Sequence, residues 1–228
     1  MSDPTPPDHP PESPKHRKRL RRREIGYAPR FLTFSCYQRM QLFDTPTLKQ
    51  VFVDSLRRVH ARGDFELIAW VIMPEHIHLM VRPLPGVIWA PIAAGLKTSV
   101  SKRILNRWQR TRTPILPLLH DARGDLHFWQ PGGGFDRNVR GDGELEKEIR
   151  YIHNNPVERE LVAKPTDWEW SSARFWAARH ERYRETRTWT QSRDEPDGWE
   201  GWWKDDDGLA CDWPPGDWRA WAMWPEFV

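Results

Sequence analysis

Cysteine is nearly missing from this sequence, and long apolar runs are missing altogether. Among the 228 residues only Cys36 and Cys211 are cysteines, too few and too far apart for a disulfide scaffold or a cysteine-based zinc site. No apolar run approaches the roughly 18 residues of a transmembrane helix, and the proline-rich, charged beginning is unlike a secretory signal. A P-loop signature is also lacking. We therefore expect an intracellular, reducing location, no membrane association and no nucleoside triphosphate cofactor.

Charge is distributed unevenly along the chain. Residues 1–23 carry seven Lys or Arg against three acids, residues 24–193 carry 26 against 19, and residues 194–228 carry 2 against 10. The net charges are therefore +4, +7 and −8, within a total of +3. A basic body suits a polyanionic partner such as nucleic acid. We expect a disordered, basic, Pro-rich arm over 1–23, a folded domain over 24–180 and an acidic, Trp-rich extension over 181–228.

The two ends carry predictions of their own. The run KHRKRLRRR favours contact with nucleic-acid phosphates through Arg17, Arg19 and Arg21; the alternative is a solvated tail. Residues 194–228 hold seven of the fifteen tryptophans, more aromatic area than disordered tails usually have. We expect this extension to pack back onto the domain, with autoinhibition of the basic surface as a sharper alternative.

The spacing of apolar residues predicts the order strand, helix, strand, strand, helix, strand, helix. The predicted strands are 30–38, 64–73, 75–84 and 126–130, and the predicted helices are 45–63, 91–109 and 142–156, the last ended by Pro156. The short link at Pro74 implies an antiparallel pair. This order predicts an α+β fold: a ferredoxin-like antiparallel sheet with helices on one face, plus an added last helix whose face is left open.

The stretch MPEHIHLMVR, residues 73–82, places two histidines one residue apart in a predicted strand. Successive side chains of a strand point to opposite faces. If Ile77, Leu79 and Val81 face a core, His76 and His78 leave together from the other face. Two imidazoles so close can share a metal ion; the alternative is a pair of partly buried polar residues on a sheet face.

The last predicted helix offers a second set of polar groups. Because Ile149 and Ile152 face the core, Tyr151 points elsewhere, and Asn155 lies one turn further on the same side. Two imidazoles and an amide oxygen suit Mg²⁺ or Mn²⁺, with imidazole favouring Mn²⁺. A phenol beside that ion indicates nucleophilic attack on phosphorus. The alternative is that Tyr151 only caps the core.

Several blocks of the sequence resemble those of the REP-associated tyrosine transposases. They are WVIMPEHIHLMVRP, FWQPGGGFDRNVR and LEKEIRYIHNNPVERELVAKPTDWEWSSARFW, they follow the family's order, and the likeness covers roughly residues 27–178. The wider group consists of single-strand transposases with a His-hydrophobic-His motif and one nucleophilic tyrosine. From about residue 181 onward the resemblance stops.

The resemblance implies a ferredoxin-like catalytic domain with Mg²⁺ or Mn²⁺ and with single-stranded DNA as substrate. By motif position His76 and His78 match the metal-binding pair, Tyr151 the nucleophile and Asn155 the third ligand. The implied reaction is a transesterification through a 5′-phosphotyrosine intermediate, which cleaves and rejoins DNA at hairpins of palindromic repeats. It also implies a bacterial cytoplasmic enzyme that joins the nucleoid when bound to DNA.

Six cations in the second predicted helix and directly after it are candidates for contact with the DNA backbone; an ordinary solvated helix face is the alternative. They are Lys97, Lys102, Arg103, Arg107, Arg110 and Arg112. Two other functions remain open from the sequence: a catalytically silent nucleic-acid-binding protein of the same fold, and a metal-dependent nucleotide phosphohydrolase. The sequence does not determine the target DNA, the choice between monomer and homodimer, or whether the protein mobilises its own gene.

Overall fold

The structure, a computed structural model, describes residues 28–132 and 134–179. The predictions for the arm over 1–23, with Arg17, Arg19 and Arg21, and for the extension over 181–228 lie outside the described residues. Among the described residues, no helix is both long enough and apolar enough to cross a membrane.

A four-stranded antiparallel sheet forms the centre of the domain. Its strands are β1 (Arg30–Ser35), β2 (Phe65–Ile72), β3 (His76–Pro83) and β4 (Phe135–Asn138), in the spatial order β2-β3-β1-β4. Only three residues separate β2 from β3, so the two strands form a tight antiparallel pair. Strand β3 pairs with β2 on one side and β1 on the other, which places its histidines in the middle of the sheet.

Two helices cover one face of this sheet. Helix α1 (Pro46–His60) begins at Thr45, whose hydroxyl accepts a hydrogen bond from the Leu48 amide, and has Pro46 at its first position. Helix α2 (Trp89–Thr111) follows β3. Both helices pack onto alternate strand residues in one apolar core, which includes Leu32, Phe34, Phe52, Ile77, Leu79, Leu96, Val100 and Ile104.

A third helix, α3 (Asp142–Glu158), lies on the opposite face. There a second apolar cluster joins Phe31, Ala69 and Met80 of the strands to Leu145, Ile149 and Ile152 of α3 and to Trp176. Trp176 belongs to a last helical stretch over residues 173–179. The fold class is confirmed: an α+β, ferredoxin-like sheet with α1 and α2 on one face. The sequence left open which face the last helix covers, and the structure places it on the face opposite α1 and α2.

The predicted fourth strand at 126–130 is wrong, because the fourth strand lies at Phe135–Asn138. The segment 126–130 has only single bridges, from Leu126 to His120 and from Trp129 to Cys36, and its aromatic residues enter the α1/α2 core. Its apolar pattern therefore reflects core packing. The true edge strand, FDRN, has one apolar residue and little alternation, so periodicity alone does not reveal it.

Pro156 does not end α3, which continues to Glu158. A proline lacks the N–H that a helix interior uses, but in the last turn this removes a single helical hydrogen bond. The helix is then closed by the Arg159 amide, which donates to the Asn155 carbonyl. Asn155 consequently keeps helical geometry, as its placement beside Tyr151 requires.

Candidate active site

The alternation of β3 places His76 and His78 on the α3 side of the sheet, while Ile77 and Leu79 enter the α1/α2 core. The two Nε2 atoms face each other at 3.0 Å, and the ring centroids lie 4.6 Å apart. Both side chains are buried. Burial lowers the pKa of His76, and burial together with the charge of His76 lowers the pKa of His78 to about 3. Both imidazoles are therefore neutral at neutral pH and can direct Nε2 lone pairs at one point.

Each ring is held through its other nitrogen. The Nδ1 atom of His78 lies 2.9 Å from the Thr33 hydroxyl, and the Nδ1 atom of His76 lies 3.1 Å from Oε1 of Glu75. An Nδ1–H donated to each oxygen leaves each Nε2 unprotonated, the arrangement that fixes histidine as a metal ligand. Glu75 also accepts a hydrogen bond from Arg159, so the residue that closes α3 is tied to the histidine pair.

Asn155 completes a set of three donors. Its Nδ2 atom lies 3.4 Å from Nε2 of His78, whereas its Oδ1 atom is buried without a hydrogen-bond partner. A buried acceptor without a partner is costly. A half-turn of the amide exchanges the two atoms and directs Oδ1 at the imidazoles, where a cation would satisfy it.

These residues fit a divalent cation. Two nitrogens 3.0 Å apart match adjacent ligands about 2.1 Å from an octahedral ion. Nitrogen plus amide oxygen is a donor set that Mn²⁺ accepts well and Mg²⁺ tolerates. Among the described residues, no group of three His, Cys, Asp or Glu side chains could hold a metal ion, so an ion at the histidine pair would take the amide of Asn155 as a third protein donor.

Tyr151 stands beside this donor set. Its ring centroid lies 5.3 Å from that of His78 and 6.0 Å from that of Phe31. The inner face of α3 is taken by Leu145, Ile149 and Ile152, and the Tyr151 side chain is 40% exposed. The ring therefore does not simply cap the core, because it borders the histidines and remains open to a substrate.

The family model for IS200-like transposases matches residues 31–155, from the first strand to Asn155. This chain belongs to the IS200-like transposase family. The predicted membership and the predicted enzyme class, DNA transposase, are thereby confirmed. The matched segment contains the histidine pair, Tyr151 and Asn155.

Two curated relatives of this transposase are named as REP-associated enzymes. The putative REP-associated tyrosine transposase of Haemophilus influenzae is 24% identical over 143 residues, which cover 62% of this chain and 77% of the relative. The REP-associated tyrosine transposase of Escherichia coli K12 is 26% identical over 135 residues, which cover 59% and 69%. A solved REP-associated tyrosine transposase bound to a REP hairpin aligns with a TM-score of 0.55 at 24% identity, over 70% of this chain and 84% of that one. At that identity the structural likeness shows the fold.

His153 of the transposase points away from the site, as its spacing from Tyr151 predicts. Its Nε2 atom lies 2.8 Å from the Ser172 hydroxyl, and its ring packs beside Trp176. Although His153 is only two residues from the nucleophile candidate, it belongs to the contact between α3 and residues 171–176. It does not join the donors at the histidine pair.

The six candidate DNA-binding cations, five in α2 and Arg112 at its C-cap, lie across the sheet from the histidine pair. The Lys97 ammonium lies 5.6 Å from the centroid of the Phe34 ring and 5.9 Å from that of Trp129, and Arg103 reaches Ser55 of α1. The other four, Lys102, Arg107, Arg110 and Arg112, are exposed. The structure therefore does not bring these cations to the side of the sheet that carries the histidine pair.

Two arginines that the sequence analysis did not select lie near the histidines instead. The charge of Arg39 contributes to lowering the pKa of both His76 and His78, and that of Arg159 to lowering the pKa of His76. Arg39 is exposed and follows Gln38, and both residues have positive φ, 55° and 49°. Non-glycine residues in this conformation concentrate at functional sites. Neither arginine has a local signature in the sequence, since only the fold brings them to β3.

Proposed function

We propose that this transposase is a metal-dependent, single-strand DNA nickase and strand transferase that works through a 5′-phosphotyrosine intermediate. The observation that carries the proposal is the convergence of four side chains from two elements. Strand β3 supplies His76 and His78, helix α3 supplies Asn155 and Tyr151, and the Tyr151 and His78 rings lie 5.3 Å apart. A nucleophile beside a three-donor cation site is what phosphoryl transfer requires.

His76, His78 and Asn155 would hold the ion, Mg²⁺ or Mn²⁺. When bound, such an ion polarises the phosphodiester and offsets charge that develops on its oxygens. Thr33 and Glu75 keep the imidazoles in the ligating tautomer through Nδ1. Because both rings are neutral at neutral pH, neither has to lose a proton before an ion binds.

Tyr151 supplies the nucleophile. Its hydroxyl releases a proton to solvent as its oxygen attacks the scissile phosphorus. One P–O bond forms to the tyrosine and one breaks to the 3′ oxygen, which takes up a proton and leaves as a 3′-OH. In the reverse direction, a 3′-OH of the same or another strand attacks the phosphotyrosine and restores the Tyr151 hydroxyl. One bond replaces another in each step, so no nucleotide cofactor is consumed.

The DNA substrate we propose is a hairpin with single-stranded flanks. The support is the likeness to relatives named as REP-associated and to a relative solved with a REP hairpin. We further propose that the exposed cations of α2 contact the DNA backbone remote from the scissile phosphate. Replacing Lys102 and Arg107 together by Gln should weaken binding similarly for all sequences. It should also lower the slope of log affinity against log salt by the amount expected for about two lost phosphate contacts. An unchanged salt dependence would exclude these two residues from the DNA contact.

The proposal is tested by trapping the covalent adduct. The protein is incubated with hairpin-bearing single-stranded DNA and Mn²⁺, and products are separated by denaturing electrophoresis. We expect a protein–DNA adduct that EDTA prevents, that maps to Tyr151 and that Tyr151→Phe abolishes. Tyr37→Phe is the matched control, because Tyr37 is buried against His127 and should leave the adduct intact.

The other outcomes point to the remaining functions. DNA binding with no adduct under any metal would indicate a catalytically silent binding protein. Hydrolysis of free nucleotides with no adduct would indicate a phosphohydrolase. An adduct that persists in Tyr151→Phe would refute Tyr151 as the nucleophile.

A further inference from the structure

Two aromatic side chains stand open on the same side of the sheet. Among the described residues, six large apolar side chains are exposed, and the only aromatic ones are Tyr151 and Phe135, which is 53% exposed. Both rings border Phe31: the centroid of each lies 6.0 Å from that of Phe31. Phe31 in turn stacks on His78, at 5.2 Å. Phe135 is therefore one ring away from both the candidate nucleophile and a candidate metal ligand.

The position of Phe135 is fixed by the backbone before it. In the pairing of β1 with β4, Phe135 is opposite Thr33, the residue that holds His78. The preceding Gly134 has φ of +72°, and a Cβ there would lie 2.5 Å from the Thr33 carbonyl oxygen. Only glycine allows β4 to approach β1 this closely, so the ring is held at the rim of the site.

The neighbouring cation on the same edge is already engaged. Arg137, opposite Phe31 in the register, lies over the Phe31 ring at 5.8 Å and forms ion pairs with Glu144 and Glu148 of α3. These contacts tie β4 to α3. Phe135 is thus the side chain of this strand that remains open towards a ligand at the site.

We propose that Phe135 is a stacking platform for a base of the single-stranded DNA next to the scissile phosphate. The proposal rests on the function proposed above. Every base has a π face, so stacking on a phenyl ring holds a single strand without reading its sequence. With Tyr151 on the other side of Phe31, the stacked base would orient its neighbouring phosphate towards the phenol.

Equilibrium binding of oligo(dT) to Tyr151→Phe, which holds the strand without cleaving it, tests the platform. Alanine substitution of a stacking aromatic weakens binding by about 1–3 kcal/mol per base, so Phe135→Ala should raise the Kd about 5- to 150-fold. Phe135→Leu, which keeps apolar bulk but has no π face, should resemble Ala, whereas Phe135→Trp should bind like Phe. Leu118→Ala is the matched control, because Leu118 is 64% exposed and lies outside the site.

Photocrosslinking gives a second readout that does not depend on measured affinities. Oligo(dT) carrying scattered 5-iododeoxyuridine should crosslink to Phe135, and the crosslink should disappear in Phe135→Leu. The proposal would be overturned if the Ala, Leu and Trp variants all bound oligo(dT) as tightly as the parent and no crosslink formed at Phe135. A change in oligomeric mass without a change in DNA affinity would also overturn it, since the ring would then be a subunit contact.

The two proposals fail separately. If stacking holds but no covalent adduct forms, the transesterification is refuted while the platform stands. If the adduct forms at Tyr151 but the Phe135 variants bind DNA as tightly as the parent and no crosslink forms at Phe135, only the platform is refuted.

Discussion

The two faces of the sheet are built from the same strands but differ in the polarity of their buried side chains. On the α1/α2 face, Ile77 and Leu79 of β3 enter a continuous apolar core. On the α3 face, His76 and His78 of the same strand are equally buried but polar, and the nearby Oδ1 of Asn155 has no hydrogen-bond partner. The α1/α2 face is therefore predominantly apolar, whereas the α3 face combines its own apolar cluster with buried polar groups that lower the stability of a chain without a ligand.

The largest effect should come from removing a ligand on the α3 face. His78→Leu should abolish the Mn²⁺-dependent adduct, because one of the two imidazole donors is gone. Without metal, the free energy of unfolding should not fall, since an apolar side chain replaces a buried polar one. Adduct formation on denaturing gels and urea unfolding in EDTA measure the two quantities.

The same variant sharpens the role of the cation. Mn²⁺ at about a hundred times its Kd should increase the free energy of unfolding of the parent protein by about 2.7 kcal/mol and therefore raise its Tm. The Tm of His78→Leu should stay unchanged. Equal shifts in both proteins would place the ion elsewhere.

The reverse result is expected one residue further along β3. Leu79 is fully buried in the α1/α2 core, and Leu79→Ala should reduce the free energy of unfolding by about 2–5 kcal/mol, as cavities do. Below its unfolding transition the variant should still form the adduct. If Leu79→Ala lost the adduct while fully folded, the α1/α2 face would contribute directly to activity and not only to stability.

A smaller effect is expected from the carboxylate behind His76. Glu75→Ala removes the acceptor for His76 Nδ1 and the partner of Arg159, and should weaken Mn²⁺ binding about 10- to 100-fold. Glu66→Ala is the matched control, because Glu66 pairs with Arg82 at the far end of the β2–β3 pair. Isothermal titration measures the Mn²⁺ affinity of both variants. Equal Mn²⁺ affinities of Glu75→Ala and Glu66→Ala would exclude a role for Glu75 at the site.

The smallest effect concerns pH and α3. Burial, with the nearby charge of Asp142, raises the pKa of Glu146 from 4.5 to about 7. A carboxyl whose pKa is higher in the folded state favours folding when protonated, so stability falls as pH rises from about 4.5 through 7. Glu146→Gln should therefore raise the Tm at pH 8. The gain in free energy of unfolding should be at most on the order of 1 kcal/mol, because solvent screens the carboxylate charge.

That gain should shrink towards zero as the pH is lowered to about 5. Thermal unfolding at the two pH values measures it. A gain of equal size at both pH values would attribute the effect to packing and not to the carboxyl charge.

The sequence by itself determined what short-range periodicity can express. The two-residue repeat of β3 fixed that His76 and His78 share a face, and the helical repeat of α3 placed Tyr151 and Asn155 together, away from Ile149. The stripe of α2, with Leu96, Val100 and Ile104 buried, followed in the same way. Each of these results depends only on neighbours within one element, where geometry is set by the local backbone.

Only the tertiary structure decided how those elements meet. That α3 covers the histidine face, that β4 is Phe135–Asn138 and not 126–130, and that the α2 cations lie across the sheet were all beyond periodicity. Thr33, Glu75 and Arg159 join the site through strand register and helix closure. Contacts between residues distant in sequence depend on the packing of whole faces, and one element's pattern contains no information about its partner's register.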